Sequence, residues 1–122
     1  MKKVTMRDMP RVQVDMVGGL MTGTQVHRQS ILQPGESHDY NFAIVSFSPG
    51  SRTKSHTHSF DQILVITEGN GKVATDDEVL PVTLGDMVLI PALENHWHGA
   101  PDATSMAHIT ITVAGSQTVH TE

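Results

Sequence analysis

The sequence predicts an all-β domain, built as a sandwich or a barrel. Three observations carry this expectation. No segment keeps apolar residues at i, i+3, i+4 and i+7, the spacing of an amphipathic helix. Short apolar or alternating runs recur instead, bounded by glycine, proline and acidic turn residues. Turn signals come roughly every 8 to 12 residues, which implies about eight to ten short strands.

The elements follow in order. Val12-Gln13-Val14-Asp15-Met16 alternates apolar and polar and predicts a short strand, and Gly18-Gly19 and Gly23 mark turns. Thr24 to Leu32 reads as a strand that ends in the Gln33-Pro34-Gly35-Glu36 turn. Tyr40 to Phe47 is a strongly apolar strand, stopped by Ser48-Pro49-Gly50. Its Ala43, Val45 and Phe47 share one parity, so if they face inward they make a small, apolar pocket. Ile63-Leu64-Val65-Ile66 is apolar on both faces, which predicts a strand covered on both. Asn70-Gly71 is a hairpin signal, with Lys72 to Thr75 pairing back. Asp76-Asp77 turns the chain into Glu78 to Leu84. Gly85-Asp86 opens Met87 to Ile90, which Pro91 ends, and Asp86 reads as a turn residue. Ser105 to Val113 is the last alternating strand, and the polar segment from Ala114 to Glu122 is expected to be loose. With no repeat and no linker, residues 1–122 read as one domain, with an N-terminal strand or arm over about residues 1–30 and a loose tail over about 115–122.

Composition narrows the partners. The chain has 122 residues, 13 acidic and 8 basic, for a formal charge of −5. That balance offers no basic footprint for nucleic acid or an anionic membrane. There is no cysteine, which excludes disulfides and thiolate metal sites. The basic start Met1-Lys2-Lys3 is not followed by an apolar run of signal-peptide length, so a cytoplasmic location is the expectation.

Four of the eight histidines sit in two clusters. His56 and His58 are two apart, and Gln62 lies four residues later. On an extended backbone these three side chains share one face. The second cluster is Asn95-His96-Trp97-His98-Gly99. Neutral imidazoles suit most first-row divalent metals. A third histidine and a side-chain oxygen beside a His-x-His pair would leave positions open for substrate. A single such pair reads as two histidines facing solvent; two pairs, each beside a turn, point to a metal site.

With their spacing, the clusters resemble the small single-domain cupins. The first cupin motif, G-x5-H-x-H-x3/4-E-x6-G, is matched by Gly50, His56, His58 and Gly69, with Gln62 where glutamate is usual. The second, G-x5-P-x-G-x2-H-x3-N, is matched by Gly85, Pro91 and His96, with Leu93 in place of glycine and Ala100 in place of asparagine. The resemblance implies a double-stranded β-helix, or jelly-roll, barrel. It implies a divalent transition metal held by His56, His58, Gln62 and His96. It also implies a homodimer. A glutamine ligand would contribute no negative charge, so the ion would bind more weakly and act as a stronger Lewis acid; alternatively, Gln62 does not ligate and the site has lost its metal.

A narrower resemblance is to the cupin-type (R)-hydroxynitrile lyases. His-x-His-x3-Gln, His96-Trp97-His98-Gly99-Ala100 and Met106-Ala107-His108 carry it. It implies manganese as the favoured ion, with Fe, Zn, Ni, Co or Cu as alternatives, and His108 and His98 as candidate catalytic residues. His98 reads either as a proton relay behind His96 or as a polar turn residue. Patterning alone puts His108 on the outer face, opposite Ala107, Ile109, Ile111 and Val113, whereas the resemblance puts it in the lumen. A base with a pKa near 7 would suit the proposed chemistry. Trp97 reads as a packing residue, and Ser59-Phe60-Asp61 departs from the lyase pattern at the expected pocket mouth. The expected function is a metal-dependent lyase or acid/base enzyme on a small carbonyl or hydroxy compound. The alternatives are an iron or copper dioxygenase, against which the missing glutamate counts, and a non-catalytic small-ligand-binding protein.

Overall fold

Two antiparallel sheets share one long strand and curl around a common lumen. The computed structural model describes residues 1–122. Its strands are β1 (Val12–Gln13), β2 (Met21–Thr22), β3 (Val26–Ser30), β4 (Tyr40–Phe47), β5 (Ser51–Thr53), β6 (His56–His58), β7 (Gln62–Thr75), β8 (Val79–Thr83), β9 (Met87–Ile90), β10 (His96–Ala100), β11 (Met106–Val113) and β12 (Thr118–His120). The only helical element is a single 3₁₀ turn, Met6–Asp8. The first sheet runs β1-β3-β4-β11-β7-β9. In the second, β8, β7 and β10 lie side by side, and β5 and β6 both pair with β10. β2 then lies on β5 and β12 on β6. This is the all-β jelly-roll barrel that the sequence and its resemblance imply.

The core forms where the inward parities of the two sheets meet. Val26, Val45, Phe47, Leu64, Ile66, Val73, Val82, Ile90 and Met106 are buried in one cluster, with Val14, Met16 and Leu20 packed against it. Burying each of the larger side chains stabilises the fold by about 1.5–3 kcal/mol.

Four expectations are corrected here. Asn70-Gly71 is not a hairpin turn. A type I′ turn needs positive φ at both central residues, but Leu93 is the only non-glycine residue with positive φ. β7 runs straight through instead, pairing with β9 and β11 in its first half and with β8 and β10 in its second. Gly69, at φ 69°, makes the bend that carries the strand from one sheet to the other. A Cβ there would lie 1.9 Å from the Ser105 carbonyl oxygen, so only glycine allows β11 this close.

The second correction concerns the tail, which is not loose. Thr118, Val119 and His120 pair with His58, Thr57 and His56. The Arg52 guanidinium binds the Glu122 carboxylate through two N–H groups, at 3.1 and 3.0 Å. Third, the outer face of Ile63–Ile66 is not fully covered: Leu64 and Ile66 are buried, while Ile63 and Val65 are only half-buried. Fourth, the strand expected over Val12–Met16 is shorter, Val12–Gln13, with one further backbone bond from the Val14 amide to the Val26 carbonyl oxygen, and Val14 and Met16 pack against the core.

Candidate metal centre

β6 and the start of β10 lie side by side, with His56 directly opposite His96. Alternation along β6 turns His56 and His58 inward and leaves Thr57 between them facing out. Gln62, the first residue of β7, is buried on the same side. One ligand nitrogen from each of His56, His58 and His96 falls within 4.8 Å of the other two. The structure therefore gathers all four residues expected to hold a metal.

The hydrogen bonds around these rings fit a cation. His56 Nδ1 faces the Lys54 carbonyl oxygen at 2.6 Å, and His96 Nδ1 faces that of Glu94 at 2.8 Å. His58 Nδ1 lies 3.0 Å from Thr118 Oγ1, on the strand that covers β6. A carbonyl can only accept, so Nδ1 carries the proton in His56 and His96 and Nε2 carries the lone pair. Nε2 of His56 and of His58 are both buried with no hydrogen-bond partner. The Gln62 side-chain amide donates to Thr110 Oγ1 at 2.9 Å, which turns Oε1 towards His96 Nε2, 3.1 Å away. Two lone pairs thus face each other across that gap, and a cation between them removes the repulsion. Burial lowers the pKa of all three histidines, that of His56 to about 3, and so keeps them neutral and able to ligate.

Behind this group lies a second pair. His98, on β10, is buried on the same side as His96, and the two rings stack with centroids 5.7 Å apart and planes at 13°. It sits within a strand and not on a turn. His108, on β11, is fully buried and points into the lumen, as the resemblance implies and patterning does not. Its Nε2 lies 2.9 Å from His98 Nδ1. The remaining nitrogens, His98 Nε2 and His108 Nδ1, have no partner. His108 is not poised near pH 7. Burial foremost holds its pKa down at about 4, and burial, reinforced by His108, holds His98 well below the usual imidazole value.

His56, His58, His98 and His108, with Gln62, open into a cavity of about 290 Å³. Its lining corrects the expectation of a small, apolar pocket. Val45 faces it, but so do Arg28, Ser30, Asn41, Thr110 and Thr112, and no carboxylate does. Phe60 and Asp61 do not line it; Asp61 instead accepts a hydrogen bond from the Ala92 amide, tying the two motif loops together. Trp97 packs on the far side, under the Arg52 guanidinium.

Sequence reasoning missed Thr118, Thr110 and Arg28. Thr110 shares the parity of His108 and was legible from it. Thr118 sits in a polar stretch with no strand signal. Arg28 is a lone charge on the parity of buried Val26.

The comparisons with known proteins agree with this geometry. The family model for the cupin domain matches residues 43–113. The chain belongs to the cupin family. This cupin is 41% identical over 73 residues to an (R)-mandelonitrile lyase from Granulicella tundricola, a match covering 57% of this chain and 53% of the lyase. The matched part therefore spans about half the length of that curated relative. A cupin-like protein from Thermotoga maritima superposes with a TM-score of 0.80 at 27% identity, over 93% of this cupin and 88% of the other chain. The polyketide cyclase RemF from Streptomyces resistomycificus superposes with a TM-score of 0.84, over 100% and 86% of the two chains; at 17% identity it supports the fold alone. No helix is long and apolar enough to cross a membrane.

Proposed function

We propose that this cupin is a metal-dependent lyase that transfers a proton to or from a small carbonyl or hydroxy compound, with cyanohydrin cleavage as the model reaction. The observation that carries this reading is the His98–His108 pair, buried, neutral and stacked against the metal group. A divalent transition ion, manganese by resemblance, would be held by His56, His58, Gln62 and His96 and would supply Lewis-acid stabilisation of an oxygen or cyanide anion.

The histidine pair can move a proton at neutral pH. Two neutral imidazoles share two protons among four nitrogens. One proton occupies the bond between His108 Nε2 and His98 Nδ1. The outer nitrogen of the ring that donates in this bond is then a free lone pair, and the outer nitrogen of the accepting ring carries a proton. A proton taken up at one outer nitrogen shifts across the bond and leaves from the other. In cyanohydrin cleavage the hydroxyl proton goes to the pair, the carbon–cyanide bond breaks, the carbonyl forms, and the departing cyanide takes a proton. Such general acid/base help is typically worth about 10²- to 10⁴-fold in rate. The neutral Gln62 amide adds no charge to oppose a bound anion.

The test is release of benzaldehyde from mandelonitrile by the metal-loaded protein, followed by absorbance. Turnover is expected to disappear on chelation. Metal-replete protein that cleaves neither mandelonitrile nor related hydroxy compounds would instead be a ligand-binding cupin, and oxygen consumption would indicate a dioxygenase.

A further inference from the structure

Arg28 lies on the inward parity of β3, and its side chain lines the rim of the cavity. In the sheet it pairs with Val45, and Val45 pairs with His108. Arg28 and His108 thus occupy one row across three strands, about 10 Å apart at Cα by ordinary strand spacing. The guanidinium is close enough to the histidines to help depress the pKa of His108.

No group of this chain neutralises it. All five ion pairs of the molecule lie elsewhere. Arg28 is exposed to solvent at the rim, while the packing around part of its side chain lowers its pKa by desolvation. The chain carries 13 acidic residues and a charge of −5, but none of those carboxylates lines the cavity. An arginine that faces a cavity and has no carboxylate partner is free to exchange water for a ligand anion. Hydroxyl and amide groups of Ser30, Asn41 and Thr112 lie in the same lining and can bond the remaining edges of a polar ligand.

We propose that Arg28 binds the carboxylate of the substrate, so that this cupin acts on a carboxylate-bearing carbonyl or hydroxy compound. This deepens the lyase reading above and rests on it for the reacting end of the molecule. The planar fork of guanidinium donors matches a carboxylate with two parallel hydrogen bonds. The spacing sets the anion at the rim and the reacting carbon against the histidines, several bonds further in. Arg28 then acts as a specificity residue, since it selects an anion that a neutral rim would not.

The experiment uses two aldehydes, 4-carboxybenzaldehyde and its neutral methyl ester, methyl 4-formylbenzoate. Their affinities for the metal-loaded protein are measured by calorimetry in wild type, Arg28→Lys and Arg28→Met, with melting curves to check folding. Wild type is expected to prefer the acid by tenfold or more, Arg28→Met to lose that preference, and Arg28→Lys to keep part of it. Failure of wild type to bind the acid, equal affinity for both aldehydes, or an undiminished preference in Arg28→Met overturns the assignment. Cyanohydrin formation from each aldehyde is scored separately. Preference for the acid without turnover keeps the anion site and sinks the lyase reading; turnover without preference does the reverse.

Discussion

Two groups of histidines share one lumen and are built differently. In the outer group, Nδ1 of His56 and of His96 is pinned to a carbonyl and that of His58 to a threonine, so each Nε2 is free to face a common point. In the inner pair, His98 and His108 bond to each other, and each keeps one outer nitrogen unpaired. The outer arrangement points ring nitrogens at one place, as a metal site requires. The inner arrangement shares one hydrogen bond between two rings, the basis of the proton transfer proposed above. The difference comes from position in the chain: Lys54 and Glu94 lie in the short segments just before β6 and β10 and present their carbonyls to the outer rings, whereas His98 lies within β10 and His108 at the register shift between β11 and β7, and these two rings meet each other.

The sharpest way to break the comparison is to remove one member of each group. His96→Ala is expected to cut bound metal from about one equivalent to under a tenth, and activity with it, by elemental analysis and mandelonitrile assay. His108→Ala is expected to keep its metal and still lose about 10²-fold or more in kcat. Equal metal loss in both variants would mean that the two groups are one site.

A smaller effect is expected from acid. His108 titrates near 6.5 when unfolded and near 4 when folded, facing His98 and Arg28. The unfolded chain therefore binds more protons between these values, and stability falls as pH falls through that window. Above pH 6.5 the contribution is fully present; below about 4 the loss is complete. Melting temperatures of metal-free protein should drop by several degrees between pH 7 and 4. The slope should be shallower in His108→Gln, and an equal slope would remove the buried neutral pair from the account.

The smallest effect concerns Leu93, which stands where the motif has glycine. Its φ is 70°, a conformation that costs a residue with a Cβ about 1–2 kcal/mol. It is 72% exposed, and its amide donates to the His58 carbonyl oxygen at 2.8 Å. Leu93→Gly should raise stability by up to about 1 kcal/mol, because relief of strain outweighs the backbone entropy of glycine. Thermal melting would show this, with metal content unchanged. A lower melting temperature would mean that the Leu93 side chain packs usefully.

Much of the site was legible because it depends on local parity. His56, His58 and Gln62 share one face by alternation alone, and the motif spacing brings in His96. The boundaries of Tyr40–Phe47 and Met87–Ile90 followed from apolar runs closed by turn residues. Tertiary structure decided the rest. Asn70-Gly71 carries the local signature of a turn, but β8 pairs with both residues and the Asn70 amide donates to the Ser105 carbonyl oxygen, which holds them extended. Thr118 to His120 has no apolar pattern, and only backbone pairing with β6 makes it a strand. His108 lies on the polar parity of β11, and the lumen buries it because polar groups from seven other strands meet it there. Parity is a property of neighbours in sequence. Which parity is buried, and which imidazole is thereby kept neutral, depends on strands brought from far along the chain.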